Sequence, residues 1–478
     1  GERQAYVEAA ATLAPPEPAA ALPVVPREPM PAVGAMKPLD FPDVERTTLS
    51  NGIEVVYARS TTVPVTRMAV EFDAGVAADP AEAPGTQRLM LDLLTEGTES
   101  RSTVELAEQQ ERLGATINAF ATTDRTGVGM STVSANLAPS LDLLSDVIRN
   151  PAFRAEDLER RRNQQLAGIA QELSSPGGIG GRALPVVLYG PDHPYGRPAS
   201  GLGTAAAVQA LDRDDLTGFH GAWIRPDNAR IFIVSDLPLA ELTPMLNARF
   251  GTWAAPAAPR GTKAFDAAIP TSTPRIVLID RPQSPQSLIL GGLVMGVTGR
   301  DDLVTLNAAN EVIGGGFLSR INQDIRETRG WSYGLGGAVN LREHQTPYLI
   351  QAPVQANRTG ESIAVLIDQY RAFLSERGVT AFERDRVVRG NIGQLPGSFE
   401  SSANVLNALR TNALYGRPDN YWETLAPRYE AMTAEAMDAE ARRVLGPANF
   451  VWVVVGDAAT VRPQLEALGL PVEVRAAQ

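Results

Sequence analysis

One pattern, Pro-x-Asn-x7-Asp, occurs twice along this chain. It appears as PDNARIFIVSD, with Pro226, Asn228 and Asp236, and again as PANFVWVVVGD, with Pro447, Asn449 and Asp457. Each copy is preceded by a helical stretch and followed by one rich in Ala and Leu. A second shared motif, Leu-Tyr-Gly, falls at Leu188-Tyr189-Gly190 and at Leu414-Tyr415-Gly416. Recurrence in this order predicts a duplicated domain of about 210 residues per copy. The length of 478 residues agrees, because a single hydrophobic core stops growing beyond about 250–300 residues.

Proline recurs every few residues over 13–43, which blocks helix interiors and central strands. Residues 1–44 therefore read as a Pro/Ala-rich strap. A second break at 254–274 divides the remainder, giving a first domain over 45–255, a linker over 256–272 and a second domain over 273–478. Strands are predicted at 53–58 and 66–74 to open the first copy, and at 276–280 and 287–297 to open the second. Helices are predicted over 103–113, 138–149, 155–173, 303–313, 360–376 and 459–468, and GTQRLMLDLLTEGT at 85–98 reads as a helix ending in a Gly-Thr turn. Strand pairs followed by consecutive helices predict an α+β fold in which each domain packs helices on one face of a mixed sheet.

Composition removes several function classes. A formal net charge of −12 and the lack of a long basic run argue against nucleic acid as a partner. The densest basic cluster, Arg160-Arg161-Arg162, follows Glu156, Asp157 and Glu159 and reads as a solvated helix face. The absence of cysteine removes disulfides, thiol nucleophiles and thiolate metal sites. No run of about 18 apolar residues exists to form a membrane-spanning helix.

Motifs for chemistry are sparse. The three histidines, His193, His220 and His344, lack the paired spacing that puts two ligands on one helix face, and each reads as a loop or helix-surface residue. GWSYG, Gly330 to Gly334, satisfies Gly-x-Ser-x-Gly, but a helix precedes it and a strand follows, the reverse of a nucleophile elbow. A self-sufficient hydrolase is disfavoured on that ground. GLGTAA at 201–206 lacks the preceding strand of a dinucleotide fingerprint. There remains the run Gly314-Gly315-Gly316 followed by FLSRINQDIRETRGWSYG. Leu318, Ile321 and Ile325 would bury one face of a helix over 319–328 that stops at Gly330. Arg326 and Tyr333 then sit at a helix-to-strand corner, where both can donate to an oxyanion. The alternative is that Arg326 pairs with a nearby carboxylate and Tyr333 packs on the sheet.

From residue 45 to the end, the chain resembles the pitrilysin and mitochondrial processing peptidase-like zinc metallopeptidases. The resemblance rests on LSNGIEVVYA, FDAGVAADP, the GT…EGT helix, LYGPDHPYGRPASG, FHGAWIRPDNARIFIVSD and GGG…SRINQDIRETRGWSYG, in that order. It implies two homologous domains forming half of a clam-shell chamber. Active members carry an inverted zinc motif, His-x-x-Glu-His. Carried over, its two histidines fall on Arg88 and Asp92, its general-base glutamate on Leu91, and the distal glutamate ligand on Gly168. Zinc hydrolysis needs three protein ligands and an open water position; the resemblance therefore implies no metal in this chain, and an Arg88–Asp92 ion pair instead. The family's Arg/Tyr pair, which reaches across to the zinc site and holds the substrate carbonyl, matches Arg326 and Tyr333.

These expectations combine into a non-catalytic subunit of a heterodimeric zinc metallopeptidase. A zinc-bearing homologous partner would supply the metal, and Gly314, Gly315 and Gly316 would leave backbone amides free for a peptide substrate. Gly1 and the strap suggest that both subunits could come from one precursor, and the lack of cysteine is compatible with a bacterial periplasm. A scaffold protein with the same fold and no catalytic contribution is the alternative.

Overall fold

Among the described residues, twelve strands form where apolar and β-branched residues cluster. The computed structural model describes residues 38–476, so residues 1–37 of the strap lie outside the described residues. The first half carries β1 (Val44–Thr48), β2 (Glu54–Arg59), β3 (Val65–Phe72), β4 (Thr116–Ala121), β5 (Thr126–Val133) and β6 (Ala229–Ser235). The second carries β7 (Ile276–Asp280), β8 (Gln286–Thr298), β9 (Gly336–Val339), β10 (Gln345–Gln355), β11 (Val451–Gly456) and β12 (Val472–Ala476). The four strands expected to open the two copies are present as β2, β3, β7 and β8, within two residues at each end.

The sheets run β1-β2-β6-β3-β5-β4 and β12-β7-β11-β8-β10-β9. In both, a parallel pair (β2 with β6, β7 with β11) is followed by three antiparallel pairings, so five strands repeat in identical order. The repeated Pro-x-Asn-x7-Asp pattern brackets β6 and β11, the parallel strands enclosed in each sheet. Their continuous apolar runs reflect burial on both faces. The fold is α+β with two homologous mixed sheets.

Helices of each half cover one face of its own sheet, over separate cores. The opposite face takes a helix from the other half. Helix Pro176–Tyr189 presents Ile179, Leu184, Val187 and Leu188 to Val277, Ile279, Leu288, Leu290 and Val453 of the second sheet. Reciprocally, Val405, Ala408 and Leu409 of helix Ser402–Tyr415 cover Val56, Ala58, Phe232 and Val234 of the first. Each large apolar side chain so buried contributes about 1.5–3 kcal/mol. Both exchanged helices end on the Leu-Tyr-Gly motif, with Gly190 and Gly416 at positive φ. Gly180 allows the first to lie close: a Cβ there would come within 2.7 Å of Leu290 Cδ1.

The Arg160–Arg162 cluster is not a solvated face. Arg160 and Arg161 both donate to Glu96, whose side chain is 7% exposed. Arg162 is buried and donates to the carbonyls of Val208 and Gln209, at the end of helix Ala205–Ala210. The cluster is a clamp, because its partners come from segments distant in sequence. Burial alone would raise the Glu96 carboxyl, but Arg160 and Arg161 overrule it and hold its pKa below the usual range. Glu96→Ala removes the carboxylate both arginines share, leaving Arg160 with Asp157 and Arg161 with Gln164, and is expected to lower the unfolding free energy by about 1–3 kcal/mol. Urea denaturation measures this, and a loss under about 0.5 kcal/mol would show that solvent already satisfies both arginines.

Candidate functional site

Helix Thr86–Leu93 buries Leu89, Met90, Leu91 and Leu93 and turns Arg88 and Asp92 outward. It stops at Leu93, with Leu94 in the closing turn, rather than continuing to the Gly-Thr pair. Its start is fixed by Asp79, whose carboxylate accepts from the amides of Gly85 (2.5 Å) and Gln87 (2.8 Å). Burial pushes the Asp79 carboxyl up to about 7, against those two amides and the neighbouring Arg197. Arg88 Nε donates to Asp92 Oδ2 at 2.8 Å, an i,i+4 pair whose side chains are 44% and 28% exposed. Such a pair is worth roughly 0.3–0.5 kcal/mol.

Leu91 is 2% exposed and belongs to the core of the first half. Gly168 lies on helix Ala155–Ser174, which packs against helix Thr86–Leu93. Leu202 occupies the space beside it, 3.4 Å from where a Cβ would stand. A cation, a buried alkyl group, a paired aspartate and a glycine do not fit zinc. Among the described residues, no group of three His, Cys, Asp or Glu side chains could hold a metal ion.

The Arg326–Tyr333 corner is built differently from expectation. A single turn, Arg320–Asn322, leads into a π-helical segment, Gln323–Thr328. Ile321 and Ile325 are fully buried, whereas Leu318 is 53% exposed because it precedes Ser319, the residue before the first helical turn. Gly330 ends the segment at φ 67°, and its N–H donates to the Arg326 carbonyl (3.0 Å). Arg326 lies over the exposed Phe317 ring (4.5 Å) and pairs with Glu327 at 3.2 Å. Tyr333 is 90% exposed and does not pack on the sheet. Both line one open cavity of about 610 Å³, with Trp331, Gln286 and Gln355. Ser332, the serine of GWSYG, donates to the Pro353 carbonyl (2.6 Å) and is a turn residue.

Arg320, in the same segment, forks onto Glu383 (2.7 Å on both oxygens), which also accepts from the Thr380 amide. Burial opposes ionisation there, but Arg320 and Thr380 prevail and hold the Glu383 carboxyl down to about 2. A depressed carboxylate pKa stabilises the fold above its unfolded value of about 4.3 and loses that contribution as pH falls towards 2. With partial solvent screening, the loss is expected to be about 1–2 kcal/mol. Glu383→Gln should flatten stability between pH 5 and pH 2 in urea titrations, and an unchanged slope would contradict the assignment.

The glycine run is not uniformly open. Gly314 is buried, and a Cβ there would meet Tyr370 Oη at 2.9 Å; at Gly315 it would meet Asn310 Nδ2 at 2.7 Å. Behind the run, Tyr348 donates to Asn310 Oδ1 (2.5 Å) and bonds the Tyr370 hydroxyl (2.6 Å), while Asn310 Nδ2 donates to the Gly337 carbonyl (2.9 Å). Gly314 is thus a packing position that brings its segment against β9. Gly316 has open space around it, with its nearest neighbour, the Glu311 carbonyl, 3.7 Å from a Cβ position. The edge strand β9 leaves one backbone rim unpaired within its sheet.

A cluster between the halves has no sequence signal, because its members are remote from one another. His193, buried rather than on a surface loop, accepts the Tyr195 amide on Nδ1 (3.0 Å), and His344 stacks on Phe265 at 3.8 Å. Tyr195 donates to Asp124, which also accepts from the Glu343 amide (3.0 Å). Arg125 bridges Asp73 and Glu343, each at 2.7 Å, and Lys263 joins Asp73. Burial lowers the pKa of all three histidines; His220 donates to the Ile148 carbonyl, with Nε2 2.8 Å from the oxygen.

Two family models match in tandem: the insulinase-type peptidase domain over residues 54–176 and the peptidase M16 inactive domain over 210–391. An uncharacterized zinc protease of Mycobacterium tuberculosis is 27% identical over 438 residues, spanning 90% of this chain and 96% of that protein. A non-peptidase homolog from Helicobacter pylori is 21% identical over 389 residues, spanning 81% and 88% respectively. The crystal structure of a peptidase M16 inactive domain from Pseudomonas fluorescens superposes with a TM-score of 0.80 at 25% identity, covering 87% of this chain and 98% of that one. The order of the two family models follows the order of the two sheets, and the chain belongs to the M16 peptidase family as a member without its zinc-ligand residues.

Proposed function

We propose that this chain is the non-catalytic subunit of a two-chain zinc metallopeptidase, supplying Arg326 and Tyr333 to a zinc site carried by a homologous partner. The observation that carries this reading is the exposure of Tyr333 beside Arg326 at one open cavity. A phenol and a guanidinium held out from the fold cost little stability to keep and are suited to stabilising an oxyanion. The residues at the zinc positions supply no metal chemistry of their own.

The substrate is a peptide in extended form. The unpaired rim of β9 can accept it by strand addition, and the backbone at Gly316 has room for its approach. The compartment we propose is a bacterial periplasm. A scaffold role is the second reading, favoured by the name of the Helicobacter pylori relative, a non-peptidase homolog.

Native mass spectrometry of the chain mixed with a zinc-bearing homologue from the same organism tests the pairing. A 1:1 complex carrying one zinc is expected. Persistence of the two chains as separate species at micromolar concentration would overturn the proposal.

A further inference from the structure

The short turn Pro194–Gly196 is capped by His193, whose Nδ1 accepts the Tyr195 amide at 3.0 Å. A neutral imidazole that accepts on Nδ1 carries its one proton on Nε2. His193 is 1% exposed, and its Nε2 is buried without a hydrogen-bond partner, as is Oε1 of Gln345. A second proton has only Nδ1 to go to, where it would meet the Tyr195 N–H donor to donor. Protonation therefore breaks the cap.

The capped residue joins the two halves. The Tyr195 hydroxyl donates to Asp124 and accepts the His344 amide at 3.1 Å, and Asp124 also accepts the Glu343 amide at 3.0 Å. Asp124 and Tyr195 belong to the first half; Glu343 and His344 lie in the β9–β10 turn of the second. Tyr189 stacks on His193 at 5.2 Å and donates to the Gln345 carbonyl at 2.8 Å. Phe265 of the linker packs on the imidazole from a third side, with Lys263 over its ring. The charged groups around His193 are Arg197 of its own loop, His344 and Arg342 across the Tyr195 ring, and Lys263 beyond Phe265. Among the described residues no carboxylate pairs with the imidazole, and Asp124 is reached only through Tyr195. Burial first, then His344 and Arg197, oppose a charge on His193 while the seam is closed.

We infer that His193 is an acid-released latch: below about pH 6.5 a proton taken up by its imidazole frees Tyr195 and loosens the local contact between the halves. The proton binds the released form, in which the ring reaches water. The contribution of the latch is complete above the unfolded pKa of about 6.5 and is lost as pH falls, so between pH 7.5 and pH 5.5 the released fraction rises about tenfold. The response is local, because the two exchanged helices keep the rest of the seam in place. The latch shares no residue with the Arg326–Tyr333 cavity and does not rest on the reading of that cavity.

Hydrogen–deuterium exchange on the full chain at pH 7.5 and pH 5.5, corrected for the intrinsic effect of pH on exchange, tests the latch. Protection over 191–197 and 341–346 is expected to fall together at the lower pH, by about tenfold, while β6 and β11 stay unchanged. His193→Asn keeps a side-chain acceptor for the Tyr195 amide but does not titrate, and should hold both segments protected at both pH values. Tyr195→Phe keeps the ring and removes the hydroxyl; it should confine the fall to 191–197, with 341–346 already poorly protected at pH 7.5. Either variant is decisive if the other does not fold. Equal protection of the unsubstituted chain at both pH values, or a fall over 191–197 that leaves 341–346 unchanged, would overturn the inference. So would a fall that persists in His193→Asn, which assigns the response to His344, or one that persists over 341–346 in Tyr195→Phe.

Discussion

Arg326→Ala is expected to lower kcat for peptide cleavage by the mixed two-chain enzyme about 10²- to 10³-fold while leaving KM within a few-fold. Removing a donor aimed at a developing oxyanion costs about 3–4 kcal/mol of transition-state stabilisation. The same substitution should change the stability of the chain by less than about 0.5 kcal/mol, since among the described residues the Arg326 guanidinium pairs with the exposed Glu327 and lies over the exposed Phe317. Tyr333→Phe follows the same logic, because a side chain 90% exposed has little packing to lose. Steady-state kinetics of the mixture together with urea denaturation of the isolated chain separate the two effects. A rate unchanged by both substitutions would favour the scaffold reading.

Leu91→Glu carries the second large effect. It restores the acidic residue of the inverted motif at a position now 2% exposed among Leu89, Met90 and the rest of the core. With no cation to pair it, the buried carboxylate should lower the unfolding free energy by about 3–5 kcal/mol at pH 8. Burial raises the folded pKa of such a group above its unfolded value of about 4.3. The relative stability of the variant is therefore greatest below about pH 4 and falls as pH rises. Asp92→Ala, one turn along the same helix, removes only the exposed Arg88–Asp92 pair and should cost under about 0.5 kcal/mol. Equal losses for the two variants in urea titrations at pH 8 would contradict this account of the helix.

Much of the architecture was readable from residue patterns because its signals are local. The repeated Pro-x-Asn-x7-Asp pattern brackets β6 and β11, whose buried apolar runs mark enclosed strands. The i,i+4 spacing of Arg88 and Asp92 on one helix was enough to anticipate their pairing. Features created by long-range contact were not readable. Helix Pro176–Tyr189 has an ordinary apolar face, and nothing local says that this face covers the other half's sheet. The Arg160–Arg162 cluster looked solvated because Glu96 and the Val208 carbonyl are remote in sequence. Leu318 fitted a helical spacing, but the helical turn begins only at Arg320, two residues after it, and the π-helical segment that follows widens the turn beyond the 3.6-residue period. His193 and His344 flank the same Tyr195 ring only because the halves meet.

Peptide cleavage by this chain alone, by its zinc-bearing homologue alone and by the two together, each with and without a chelator, tests the central claim most directly. The account expects strong cleavage only in the mixture, abolished by the chelator. Chelator-resistant cleavage by this chain alone, or a homologue whose activity is unchanged by adding it, would contradict the account.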